Sequence, residues 1–234
     1  VSAPADTERT EESDMSAEPG TVRPGGRTAR VRTAVLRAAG DVLAEQGFDR
    51  LDLAEVARRA EVGKTTVYRR WGTVTALVAD LLADMAEQSL PRTRTGAVRD
   101  DLRANALLVQ RTLADPRQGA LFRAVIAAAA CDPRTAEALR HFYDVRIAEW
   151  APCVSEGVAR GELPAGTDPA TVVRAISAPL YYGLLTTGTA PDPAAADRAA
   201  DAAVAAAKAG VYVTPDTPAA PAAPVTPATP ATPA

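Results

Sequence analysis

Between Lys64 and Arg70 the chain reads Lys64, Thr65, Thr66, Val67, Tyr68, Arg69, Arg70: cations and hydroxyls around one apolar residue. That set has a definite chemical use. Lysine and arginine donate to the O6 and N7 edge of guanine, and threonine meets a base methyl or a phosphate. A tyrosine hydroxyl donates to a phosphate. On one short helix such side chains suit the major groove of duplex DNA. Val67 and Trp71 are four apart, so they can face inward together and leave the polar set to the other faces. We assign base reading to Lys64, Thr65 and Arg70, with Arg69 beside them. Thr66, Tyr68 and Thr73 are assigned to phosphate positioning.

A reading helix needs neighbours to hold it. Leu53, Val56, Ala57 and Ala60 fall at i, i+3, i+4 and i+7, the apolar stripe of a preceding helix. Asp52 stands at its N-cap, and Glu55 three residues on completes a capping-box pattern. Ala60-Glu61-Val62-Gly63 then breaks the period as a tight turn, with Val62 plugging the angle and Gly63 capping the reading helix. A first helix is expected over about 28–46 on the stripe Val31, Val35, Ala38, Val42, Leu43. Gly47 ends it, and Phe48 packs into a three-helix core. Thr73 is the expected N-cap of a fourth helix carrying Leu77, Val78, Leu81, Leu82 and Met85.

At these residues the chain resembles a known family. Gly47 to Trp71, GFDRLDLAEVARRAEVGKTTVYRRW, is similar to the helix-turn-helix of tetracycline-repressor (TetR) family transcription regulators. The matching features are Gly47-Phe48, Val56-Ala57, Ala60 and Val62 around the turn, then Thr66, Tyr68, Trp71 and Leu77. Three positions depart from the pattern: Glu61 replaces the usual turn glycine, Gly63 the usual serine cap, and Val74 a common lysine. Val158 to Leu185 resembles, more loosely, the C-terminal half of one large TetR subgroup.

Composition agrees with a helical, DNA-contacting chain. Of the 234 residues, 47% are hydrophobic and only 4% aromatic, and alanine dominates. That balance favours close-packed helices, and no strand-like alternation persists. The net charge of −3 conceals an asymmetry. Residues 1–18 hold six acids against one arginine, whereas residues 23–71 hold eleven Lys/Arg against six Asp/Glu. A basic block in an acidic chain is the footprint of a DNA-contacting lobe. Arg23, Arg27, Arg30, Arg32 and Arg37 extend it as an arm suited to phosphates or a minor groove.

Catalysis finds little support. There is one histidine, His141, expected at a surface or satisfied position. The chain has no nucleophile motif, no Gly-rich phosphate loop and no clustered metal ligands. No enzyme activity, cofactor or metal is expected. Cys131 and Cys153 lack ligand spacing and read as buried thiols. No apolar run approaches the roughly 18 residues of a membrane span, and the acidic start is no secretory leader. A cytoplasmic chain without a membrane partner is the expectation, with its true start at Val1 or Met15 undecided.

From Ala97 on, helical patterns alternate with Pro/Gly breaks: a fifth helix to Asp115-Pro116 and a sixth to Asp132-Pro133. A seventh follows over about 133–160 with a kink or break near Ala148 caused by Pro152. An eighth starts at Asp168-Pro169 with a kink at Pro179, and a ninth covers about 194–209. The fold class is therefore all-α, of about nine helices. We divide it into a disordered arm (1–26), a helix-turn-helix domain (27–73), a helical regulatory and dimerisation domain (74–211) and a Pro/Ala/Thr tail (212–234).

Function follows from geometry plus resemblance. One short helix reads too few base pairs for a unique address, so twofold symmetry is expected, with a palindromic operator in double-stranded DNA. The homodimer is assigned to the last two helices, kinked to expose Tyr181 and Tyr182. The resemblance implies an effector cavity for an unknown small molecule among the fifth to eighth helices. Phe122, Phe142, Trp150, Tyr181 and Tyr182 are the large side chains available to line it, with Cys153 nearby. A repressor released by its ligand is expected; a ligand-independent activator or architectural protein is the alternative.

Overall fold

The computed structural model describes residues 25–88 and 92–214, without the side chains of residues 25 and 27. The readings of the N-terminal arm up to residue 24, of Arg23, of the Arg27 side chain, of the break at Leu90-Pro91 and of the tail past residue 214 lie outside the described residues.

Within them the chain is helical throughout. It forms α1 (Gly25–Gln46), a 3₁₀ turn (Phe48–Arg50), α2 (Leu53–Arg59), α3 (Lys64–Trp71), α4 (Val74–Glu87) and α5 (Val98–Ala114). There follow α6 (Pro116–Cys131), α7 (Pro133–Ala159), α8 (Pro169–Thr186) and α9 (Pro193–Lys208).

Asp-Pro pairs punctuate the C-terminal half. Asp115, Asp132, Asp168 and Asp192 each accept a backbone N–H from the first turn of the helix that starts at the next proline. Proline at the first position gives up only an N–H that has no helical partner, and the aspartate satisfies another. Asp115 and Asp132 also end the helix before them, so one residue closes one rod and opens the next.

The internal prolines act differently from expectation. Both α7 and α8 run unbroken through Pro152 and Pro179. The missing N–H costs one helical bond at each site, and burial on both sides of the proline outweighs it. Trp150, Cys153 and Val154 flank Pro152, and Ile176 and Leu180 flank Pro179.

Two apolar clusters hold the helices. The first joins α1–α4 (Val35, Leu36, Val56, Val67, Trp71, Leu77, Leu82) to Leu121 and Phe122 of α6, Leu139 and Phe142 of α7, and Leu180 and Leu184 of α8. The second joins Leu102 of α5, Trp150 and Val154 of α7 and Ile176 of α8 to the alanines of α9, Ala196, Ala200, Ala203 and Ala207. Alanine on α9 lets its backbone lie close against α5 and α8. The head that carries α3 therefore shares one continuous core with the body.

The turn before α3 shows how the chain manages without its glycine. Val62 N–H bonds to Ala57 C=O at 3.0 Å and Glu61 N–H to Arg58 C=O at 3.3 Å, the paired bonds of a Schellman closure. Glu61 takes the required left-handed conformation at φ 54°, which a side chain disfavours by about 1 kcal/mol. Glu61→Gly should accordingly stabilise the protein by up to about 1 kcal/mol, raising Tm by about 2–4 °C. A thermal melt with Tm unchanged or lowered would show that the strain is absorbed elsewhere.

Candidate nucleic-acid interface and adjoining cavity

Local chemistry fixes the entry to the helix-turn-helix. The Asp52 carboxylate accepts the N–H groups of Ala54 and Glu55 at 3.0 and 3.1 Å. Glu55 does not close the expected box. Its carboxylate takes Arg58 at 2.7 Å and Arg59 at 2.8 Å, and those hydrogen bonds hold it down to about 2. A charged guanidinium is a stronger partner than a backbone N–H. Arg59 reaches on to Glu45 of α1 at 2.6 Å.

Behind α3 lies a second network. Trp71 is buried, and its indole N–H donates to Asp80 Oδ2 at 2.9 Å. Arg32 of α1 grips Asp80 at 2.7 Å and Asp84 at 2.5 Å. Burial alone would push the Asp80 carboxyl up. Hydrogen bonds from Arg32 and Trp71, then the charges of Arg32 and Arg70, outweigh it and hold the group below its ordinary range. One carboxylate thus ties α1, α3 and α4 together. Arg32, expected in a phosphate-touching arm, is instead internal glue. Arg30 and Arg37 stay exposed.

The front of α3 is open. Lys64, Thr65, Tyr68, Arg69 and Arg70 are exposed and Thr66 is half-buried, while Val67 and Trp71 face the core. Among the described residues, Lys64 and Arg69 have no ion-pair partner, in contrast to Arg32, Arg58 and Arg59. At about 100° per residue, Thr65 and Arg69 point most directly away from the buried face. Lys64 and Tyr68 form one flank, Thr66 and Arg70 the other. Arg70 lies with its guanidinium carbon 5.0 Å from the Trp71 ring centroid, a stacked position. Thr73 is exposed and caps α4, accepting the Ala76 N–H at 3.1 Å.

The other end of α4 reaches a cleft of about 870 Å³ formed with α5 to α8 and open to solvent on one side. Met85 of α4 and its C-cap Gln88 form one wall, Phe122 of α6 another, and Phe142, Trp150 and Tyr181 line it too. Tyr143 belongs with them: its ring centroid is 5.3 Å from Phe142 and 5.6 Å from Tyr181, edge-on to both. Burial pushes the Tyr143 phenol up to about 12 and the Tyr181 phenol well above its usual value, so both are neutral hydroxyls at physiological pH.

With that geometry in hand, the chain can be set beside known proteins. Residues 35–81 match the family described as bacterial regulatory proteins, tetR family, and residues 92–203 match the tetracyclin repressor-like C-terminal domain. The HTH-type transcriptional regulator YdeS of Bacillus subtilis (strain 168) is 33% identical over 156 residues, covering 66% of this chain and 78% of YdeS. The chain belongs to the TetR family of transcriptional regulators.

A second relative is the HTH-type transcriptional regulator AqdR of Rhodococcus erythropolis, 31% identical over 163 residues, 70% of this chain and 78% of AqdR. Among solved structures, the TetR family transcription regulator SCO0332 superposes with a TM-score of 0.61 at 28% identity, over 75% of this chain and 97% of that one. The all-α architecture with an N-terminal helix-turn-helix is that of the family. As a TetR family member the chain is a DNA-binding transcriptional regulator.

Several residues of this TetR protein sit elsewhere than expected. Tyr182 does not line the cavity; it is 69% exposed on α8. Tyr181, expected at an exposed kink, is turned inward against Phe122, centroid to centroid 5.9 Å. Helical geometry sends neighbours in sequence about 100° apart, so one tyrosine of the pair faces in and the other out. Cys153 is buried, and burial pushes its thiol up to about 12, which makes it inert. It lies off the cavity wall. Cys131 is exposed at the last position of α6 rather than buried, and His141 is exposed on α7. Tyr143 was legible from the stripe Leu139, Tyr143, Ile147, Trp150. The polar lining groups Asn105 and Gln118 were not, because an apolar stripe says nothing about polar residues on the same face. No helix among the described residues is long and apolar enough to cross a membrane.

Proposed function

We propose that the protein is a homodimeric repressor that reads a palindromic operator with α3 and is released from it by a small molecule bound in the cavity. The observation that carries this reading is the open face of α3: among the described residues Lys64 and Arg69 are exposed and without ion-pair partners, with exposed Thr65 and Tyr68 between them. Cations kept out of internal pairs are free for phosphates and base edges. Arg69, opposite the buried face of α3, is favoured over Arg70 for base reading in this proposal. Arg70, stacked on Trp71, suits a phosphate beside Thr66. Tyr68 and Thr73 serve as phosphate contacts on the other side.

Coupling runs through two rods. Helix α4 is capped by Thr73 at the end beside the proposed DNA face and by Gln88 at the other, where Met85 and Gln88 line the cavity wall. Helix α6 carries Gln118 and Phe122 on the cavity wall, and its Arg117 holds Asp41 of α1 at 2.6 Å. Gly40 leaves room for that guanidinium, since a Cβ there would meet Arg117 Nη2 at 2.8 Å. An occupant that prefers one setting of these rods changes the separation of the two reading helices in a dimer. A coupling of ~1–3 kcal/mol makes a useful switch.

The direct test is a gel shift on the DNA flanking the protein's own gene, with and without candidate compounds. Lys64→Ala and Arg69→Ala should each weaken operator binding by about 1–3 kcal/mol per half-site while affecting random DNA less. Tyr68→Phe should weaken both alike. An unchanged ratio of operator to random binding in both alanine variants removes the base-reading role. Operator binding that no compound alters favours a ligand-independent regulator.

A further inference from the structure

The cleft beside α4 is apolar on its walls and mainly cationic among its charged groups. Leu108, Val109, Tyr143, Ile147 and Tyr181 line it and are half-buried, so part of each apolar surface stays open to an occupant. The charged lining residues are Arg140, Asp144 and Arg146 of α7 and Arg174 of α8, three guanidiniums against one carboxylate.

These cations differ in what they already hold. Arg146 is half-buried and paired with Glu149 at 3.3 Å. Arg140 and Arg174 are exposed, and among the described residues neither has an ion-pair partner.

Their neighbours separate the two. Asp144 follows Arg140 by four residues, the spacing that puts both on one face of α7. An anion drawn to Arg140 therefore meets a like charge. Helix α8 contains no acid. The acid nearest to Arg174 along the chain is Asp168, the N-cap of α8. Its carboxylate is taken up by the N–H groups of Ala170 and Thr171, at 3.0 and 3.3 Å, and by the Thr171 hydroxyl. Ser177 and Tyr181, three and seven residues after Arg174, line the cleft as well, so the Arg174 side chain leaves from the lining face of α8.

A guanidinium so placed runs its stem along apolar surface and keeps its head in water. Its planar fork matches a carboxylate through two parallel hydrogen bonds. A cationic group at the same place is repelled, and a neutral one leaves the fork to water.

We infer that the cleft takes an amphipathic carboxylate, its apolar body against Tyr143, Ile147 and Tyr181 and its head group held by Arg174. That this molecule acts as an effector rests on the reading proposed above, and the test separates the two.

Biphenyl-4-carboxylate, biphenyl-4-carboxamide and biphenyl-4-carboxamidine share one shape and at neutral pH carry a negative, no and a positive charge. Isothermal titration of each into the full chain is expected to give a Kd for the carboxylate about fivefold below that of the carboxamide, a modest factor because Arg174 is exposed. The amidine should bind weakest, and added salt should shrink the carboxylate preference. Arg174→Gln should abolish that preference, and Arg174→Lys, which keeps the charge without the fork, should restore part of it. Far-UV circular dichroism and Tm confirm that each variant is folded, and the wild-type comparison decides without them. Equal affinities of the wild type for carboxylate and carboxamide overturn the inference while the cleft stands as an effector site. A carboxylate preference that survives Arg174→Gln overturns the placing of the head group. A carboxylate that binds with the expected preference yet leaves the operator gel shift unchanged supports the binding inference and overturns the effector reading. Absence of binding by all three probes overturns both.

Discussion

In the homodimer proposed above, replacing Tyr182 and Leu185 together by aspartate should leave the protein folded but monomeric, and should lower operator affinity by a factor of about 10²–10⁴. Tyr182 is 69% exposed and Leu185 45%, three residues apart on α8, with exposed Ala178 and Pro179 one turn earlier. Large apolar side chains set in one stripe suit a contact with a second copy. A carboxylate at each position would bring four like charges together across a symmetric contact, at a cost of several kcal/mol. Operator affinity follows because two half-sites bound by one linked pair gain an effective-concentration advantage that monomers lack. Sedimentation velocity reports the assembly and a gel shift reports the affinity. A variant that still sediments as a dimer would remove this face of α8 from the contact.

The second large effect lies behind α3. Asp80→Ala should destabilise the protein by about 2–3 kcal/mol, because the buried Trp71 N–H and much of the half-buried Arg32 guanidinium lose their acceptor. Tm should fall by about 5–10 °C. Asp80→Asn should cost less, since its carbonyl still accepts from Trp71. The effect carries a pH signature. The Asp80 carboxyl is held below its unfolded value, so its contribution is complete above about pH 4 and disappears as pH falls through the lower folded value. The Tm difference between wild type and Asp80→Ala should therefore be constant near neutrality and shrink in acid. A difference that grows in acid would mean that the partners of Asp80 do not stabilise its charged form. Operator binding by Asp80→Ala should also weaken, since the same carboxylate fixes the back of α3 against α1 and α4.

Much of this protein was legible in its residues. The apolar spacing of Val56, Ala57, Val67 and Trp71 requires two short helices at an angle, and their remaining faces follow from the helical repeat. The four Asp-Pro pairs mark helix starts for local steric and hydrogen-bonding reasons that operate within one turn. The break at Glu61 was visible, but not that a glutamate would adopt the left-handed conformation. The local preference against it is only about 1 kcal/mol, less than the packing of Val62 and the two capping bonds contribute together.

What the linear chain determined is the list of helices, their apolar faces and the polar set on α3, because each depends on residues three or four apart. What the tertiary structure decided is which of those side chains are free. Arg32 meets Asp80 across 48 positions and Arg117 meets Asp41 across 76, so both guanidiniums are held in ion pairs within the protein, whereas Lys64 and Arg69 have no ion-pair partner among the described residues. The same holds in the interior, where Tyr181 rather than Tyr182 joins the aromatic wall and Asn105 and Gln118 line the same cleft. Charges and amides take whichever partner the assembled helices bring within about 3 Å, and no local repeat in the chain encodes that distance.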